Sequence, residues 1–174
     1  GYGNRMYLAR DGRYEEPPFA DRVSRTGWSW GVTAPDFDND GDRDLYICNG
    51  HFSGKSAADY CTTFWCHDIY TGSSHEDSQV NQLFATSLQR LMSKEMSWNG
   101  YEHNVLFMNQ GGHGFVNVAW LMGMAHEYDS RAAVSDDLDG DGRPDLVVGR
   151  VVPGPDGRQT PAGWHCSTWG RGTC

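Results

Sequence analysis

One loop pattern, Asp-x-Asp-x-Asp-Gly-x-x-Asp followed by a short apolar run, occurs twice in this chain. It begins at Asp36 and again at Asp137, 101 residues on. The first copy is DFDNDGDRDLYI, Asp36 to Ile47, and the second is DLDGDGRPDLVV, Asp137 to Val148. In the first copy Asp36, Asp38, Asp40, Asp42 and Asp44 place five carboxylates within nine residues. Like charges so close repel, and a fold that holds them together needs a positive charge among them.

The spacing suits a cation. Alternate residues of a tight loop can aim side-chain oxygens at one centre, with Gly41 or Gly142 where the chain must turn sharply. Asp36, Asp38, Asp40 and Asp44 supply carboxylates in the first loop, and Asp42 a backbone carbonyl. In the second, Asp137, Asp139, Asp141 and Asp145 supply carboxylates, and Arg143 the carbonyl. An all-oxygen set in a flexible loop matches Ca²⁺ better than a transition metal, so two Ca²⁺ sites are expected. An EF-hand would need a bidentate Glu at its twelfth position and flanking helices. Ile47 and Val148 stand there instead, and LYI and LVV read as strands, which places each loop in a β-hairpin. The plain alternative is a solvated Asp/Gly turn that holds no ion; a second copy, again followed by a strand, counts against it.

The repetition extends upstream. NRMYLARDGRY from Asn4 parallels NVLFMNQGGHGF from Asn104, each a short alternating strand, a Gly-containing turn and an aromatic. Together these segments resemble the FG-GAP/VCBS repeat of integrin-α-like β-propellers, and most closely bacterial proteins of the CRTAC/ASPIC-UnbV group. The resemblance covers residues 4–50 and 97–149. It implies a mainly β fold of propeller-type, four-stranded blades with calcium in the hairpin loops, and a bacterial source. It divides the chain into a first repeat (1–50), an insertion with an amphipathic helix and a Cys pair (51–96), a second repeat (97–149) and an extended Pro/Gly/Trp/Cys tail (150–174). Two repeats do not close a propeller ring, whose blades each take about 40–60 residues. The expectation is an incomplete propeller: a fragment, an open module, or a subunit that completes its sheets with neighbours.

In the insertion, Val80, Leu83, Phe84, Leu88, Leu91 and Met92 recur at helical spacing, with Asp77 or Ser78 in position to cap the helix. The five cysteines leave at least one thiol outside any internal pairing. Cys61 lies close to Cys66, and Cys166 to Cys174, near enough for local disulfides. Such bridges, with calcium loops, point to a secreted, extracellular or periplasmic protein. Cys61, Cys66 and His67 also admit a transition-metal reading, although a fourth ligand is not evident.

A formal net charge of −9 with no basic stripe argues against nucleic acid as partner. No apolar run reaches the length of a membrane helix. No nucleophile elbow, P-loop or dinucleotide fingerprint occurs, so no catalytic residue is assigned. The reading that follows is a calcium-binding structural or adhesive module, self-assembling or part of a larger extracellular assembly. The alternatives are a piece of a larger propeller enzyme or ligand-binding protein, and a metalloprotein built on the Cys/His insertion.

Overall fold

Side chains on a strand point alternately to opposite faces, yet LYICN at Leu45–Asn49 is buried at every position after the first. Such a run occurs where a sheet is covered on both sides. The computed structural model describes residues 3–65, 72, 75–153 and 159–167. His51–Tyr101 forms one unit, and the segments on either side of it form the other. With 31% of residues in strands and 16% in helices, the chain is mainly β, and its sheets are antiparallel. Among the described residues no helix is long and apolar enough to cross a membrane.

Among the described residues the two-segment unit holds nine strands and a short helix. β1 (Leu8–Arg10) and β2 (Arg13–Glu15) form a hairpin, followed by α1 (Asp21–Ser24). β3 (Ser29–Thr33), β4 (Leu45–Asn49), β5 (Val105–Asn109) and β6 (Phe115–Asn117) form a four-stranded sheet in that order. β7 (Asp129–Asp136), β8 (Asp145–Pro153) and β9 (Gln159–Ser167) form a three-stranded sheet.

The four-stranded sheet does not follow the sequence repeat. It takes β3 and β4 from the first copy and β5 and β6 from the second, with Leu45 opposite Phe107 and Ile47 opposite Val105. The leading hairpin of one repeat thus extends the sheet begun by the repeat before it. The first pairs do correspond: Val32 faces Ile47 on β3–β4, and Ala133 faces Val148 on β7–β8. Each pair also carries a register shift at the same place, between Ser29 and Gly31 and between Ser130 and Ala132.

Both faces of the four-stranded sheet are apolar cores. Tyr46, Cys48 and Leu106 point to one side, where they pack with Phe37, Ala119, Met124 and, from β8, Leu146 and Val148. Ile47, Val105 and Phe107 point to the other, against Val23 and Phe115. β3 and β7 approach closely on the first side. A Cβ at Gly31 would lie 3.0 Å from the Arg131 carbonyl oxygen and 3.1 Å from Ala132 Cα, backbone atoms that do not yield. Beside it the Thr33 and Ser135 hydroxyls share a 2.7 Å hydrogen bond.

Cys48 is a free thiol within this core, fully buried. Burial pushes its pKa up to about 12. Near pH 8 its thiolate fraction is then on the order of 1 in 10,000. Alkylation by iodoacetamide followed by peptide mapping is expected to leave Cys48 unmodified in the native chain and to label it in denaturant. Labelling at the rate of an exposed thiol in native buffer would contradict this packing of β4.

Among the described residues of His51–Tyr101 the helices are α2 (Tyr60–Trp65) and α3 (Ser78–Met92). Asp77 caps α3: its Oδ1 accepts from the backbone N–H of Gln79 at 2.9 Å and of Val80 at 3.1 Å. The buried stripe of α3 is narrower than the sequence suggests. Ser87 and Leu91 are buried and Val80 and Phe84 partly so, whereas Leu83, Leu88 and Met92 are exposed. Positions 80, 84, 87 and 91 form a single row along the helix. Trp98 anchors the rest of the unit, its ring edge-on to His51 and Tyr60. Cys61 lies in α2; Cys66, His67 and Cys174 lie outside the described residues, and Cys166 is described only as part of β9.

Candidate metal centre

Each acidic loop connects the first two strands of a sheet, β3 to β4 and β7 to β8, and the two fold by the same rules. Asp36 accepts the backbone N–H of Asp40 on Oδ1 at 3.0 Å and of Gly41 on Oδ2 at 2.9 Å. Asp137 does the same for Asp141 at 3.0 Å and Gly142 at 2.9 Å. Asp40 Oδ1 accepts from Asp42 N–H at 2.8 Å, and Asp141 Oδ1 from Arg143 N–H at 2.9 Å. Asp44 Oδ2 reaches back to Phe37 N–H at 2.7 Å, and Asp145 Oδ2 to Leu138 N–H at 2.9 Å. These four matched pairs make the first Asp the organiser of the turn and the last Asp its clasp.

The turns also share two left-handed backbone positions. Asn39 and Gly41 have φ of 58° and 95°; Gly140 and Gly142 have 79° and 84°. Asn and Gly are the residues that reach this region at least cost. The glycine at the sixth position was visible in the spacing. The fourth position carries an equally readable signal, Asn in one copy and Gly in the other.

This backbone draws the carboxylates together. One oxygen each from Asp36, Asp38 and Asp40 lie within 4.8 Å of one another, and so do oxygens from Asp137, Asp139 and Asp145. Ca²⁺ binds oxygen at 2.3–2.6 Å, so ligands on opposite sides of one ion stand about 4.6–5.2 Å apart. Both triplets fit inside such a sphere, and every donor in them is a hard oxygen. Among the described residues these are the groups of three or more His, Cys, Asp or Glu side chains with metal-binding spacing.

The triplets differ in membership. Asp44 stands outside the first; its two oxygens accept from Phe37 N–H and, at 2.8 Å, from Asn109 N–H on β5. Burial pushes its pKa above the usual carboxylate value, opposed by those two backbone hydrogen bonds and reinforced by the nearby charges of Asp38 and Asp40. Asp141 stands outside the second triplet, and Asp145, buried, stands in it. Asp42 and Arg143 sit at the expected seventh position of each loop.

The two loops lie side by side, a relation the sequence does not reveal. Asn39 Nδ2 donates to the Gly142 carbonyl oxygen at 3.5 Å. Between them opens a polar cleft of about 440 Å³ whose walls include Asp36, Arg43, Asp136, Asp137 and Arg143. Both carboxylate triplets therefore gather at one end of the paired sheets. No protein-family model, no curated protein and no solved structure matches the chain.

Proposed function

We propose that this chain is a calcium-stabilised module of β-propeller type, of the FG-GAP/VCBS kind, acting outside the cytoplasm as a structural or adhesive, self-assembling component. The observation that carries the reading is the duplicated loop: two sequences 101 residues apart fold into the same hydrogen-bonded turn and gather three carboxylate oxygens each. Asp36, Asp38 and Asp40 hold one Ca²⁺, with Asp44 and the Asp42 carbonyl completing the shell. Asp137, Asp139 and Asp145 hold the other, with Asp141 and the Arg143 carbonyl. The ions are structural. They neutralise the crowded carboxylates and fix the hairpins that join the first two strands of each blade.

The surroundings suit a weak, extracellular site. Asp38, Asp40, Asp137, Asp139 and Asp141 are solvent-exposed, and open oxygen sites of this kind in extracellular modules bind calcium at about 10⁻⁴–10⁻³ M. Isothermal titration calorimetry tests the assignment directly. The wild-type chain is expected to take up two Ca²⁺, Asp38→Asn and Asp139→Asn one each, and the double variant none. A wild-type chain that takes up no calcium, or single variants that still take up two ions, would overturn it.

A further inference from the structure

Charge does not separate the two acidic loops. Residues 35–44 and their counterparts 136–145 each hold five aspartates and one arginine. What separates them is the aspartate at the ninth position, buried in both: Asp44 is 1% exposed and Asp145 2%. Asp44 has a donor on each oxygen, Phe37 N–H on Oδ2 and Asn109 N–H on Oδ1. Asp145 has the first of these, Leu138 N–H on Oδ2, and among the described residues nothing donates to its Oδ1. A carboxylate held out of solvent with one oxygen left over draws a cation more strongly than one bonded on both sides. Asp145 also stands where an ion can use it. One of its oxygens lies within 4.8 Å of oxygens from Asp137 and Asp139, whereas Asp44 stands outside the triplet of Asp36, Asp38 and Asp40. In the first loop the fifth position takes the place of the ninth, and Asp40 is solvent-exposed.

We infer that the two loops fill in order as calcium rises, the second loop first, because Asp145 offers its ion a buried carboxylate that the first loop does not. This deepens the calcium assignment and rests on it. Attraction between an ion and a buried carboxylate is less screened than attraction to the exposed ones that make up the rest of each triplet. Asp44 reaches the first ion only by shifting against the backbone bonds that hold it to Phe37 and to β5. A hydrogen bond to a charged group, such as Asn109 gives Asp44, is worth about tenfold or more in an equilibrium constant. The ion in the second loop meets a demand of that size; in the first loop Asn109 has already met it. With equal charge in the two loops, burial and rigidity decide, and the second binds about tenfold tighter or more. At intermediate calcium the chain carries one ion, which fixes the β7–β8 hairpin, while the β3–β4 loop stays open. The first loop is then the one that responds to calcium at about 10⁻⁴–10⁻³ M, the range of open extracellular sites.

Calorimetric titration of single-loop variants with calcium chloride tests the order. Asp38→Asn leaves the second loop to bind and Asp139→Asn leaves the first; both substituted residues are exposed. Asp38→Asn is expected to show a dissociation constant about tenfold or more below that of Asp139→Asn, and the wild type two steps at those same values. Added to Asp38→Asn, Asp145→Asn is expected to remove the advantage and weaken the second loop to the level of the first or below. Near-UV circular dichroism checks that the buried substitution keeps the fold. If it does not, the exposed fifth positions decide in its place: Asp40→Asn is expected to weaken the first loop by a larger factor than Asp141→Asn weakens the second. Equal constants in the two single-loop variants, a tighter first loop, or an advantage that survives Asp145→Asn in a folded chain would overturn the order, and two bound ions would still keep the calcium assignment. A wild-type chain that takes up no calcium removes the assignment itself, and the order with it.

Discussion

In excess chelator the chain is expected to melt about 10–20 °C below its melting temperature in calcium at a hundred times the dissociation constant. A ligand at that excess stabilises the folded state by about 2.7 kcal/mol per site, so two sites contribute about 5 kcal/mol. A chain of this size shifts by about 2–4 °C for each kcal/mol. The loops explain why the ion matters: without it, three carboxylates whose oxygens lie within 4.8 Å of one another face each other in both turns. Magnesium at the same concentration is expected to recover only part of the difference, since it demands stricter octahedral geometry and sheds its waters reluctantly. The double variant Asp38→Asn, Asp139→Asn is expected to melt at the same temperature with and without calcium. Differential scanning calorimetry in EDTA and in calcium makes both comparisons, and a wild-type chain indifferent to chelation would sink the structural role of the ion.

The loops themselves were legible because their signal is local. Asp at alternate positions and Gly at the sixth act on backbone only a few residues away, and the structure shows Asp36 and Asp137 accepting those very N–H groups. The strands after them were legible for the same reason, as short apolar runs with β-branched and aromatic residues. What the sequence concealed is phase. Similarity between Asn4 and Asn104 marks the period of the repeat but says nothing of where a sheet begins. β5 pairs with β4 across the whole of His51–Tyr101. That pairing depends on which faces are apolar at once on both strands, and Ile47, Val105 and Phe107 share a core that no short window displays. The adjacency of the two loops follows from the close approach of β3 to β7, which turns on the missing side chain of Gly31. In α3 the helix itself was legible, and the extent of its contact was not. Six apolar residues recur at helical spacing, but Leu83, Leu88 and Met92 are exposed. Helical spacing records which residues can share a side, not how wide a neighbour the helix meets.

Asn104 shows the same limit at a single residue, and it carries the other large expected effect. In the sequence it only opens the second repeat. In the structure it is fully buried where β4, β5 and β7 converge. Its Oδ1 accepts from Asn49 N–H at 2.9 Å. Its Nδ2 donates to the Tyr46 hydroxyl at 3.0 Å and to the Ser130 hydroxyl at 2.9 Å. Tyr46 in turn donates to the Met124 carbonyl oxygen at 3.1 Å. Asn104→Ala strands the Asn49 N–H inside the core, removes the donor shared by two hydroxyls, and opens a small cavity, for an expected loss of about 3–4 kcal/mol. That corresponds to a melting temperature about 6–16 °C lower. Asn104→Leu keeps most of the volume and none of the hydrogen bonds. If it is as damaging as Asn104→Ala, the loss is polar; if it restores stability, the loss was packing. Tyr46→Phe removes one spoke and is expected to cost about 1–2 kcal/mol. Combined with Asn104→Ala it is expected to cost less than the two single losses together, by about 0.5–2 kcal/mol, because both act on one network. Strict additivity in urea titrations of the four proteins would show that Asn104 and Tyr46 act independently. Coupling at this level would instead make Asn104 the polar pin that holds the sheet of the first loop to the sheet of the second, and so sets the two carboxylate triplets at one end of the paired sheets.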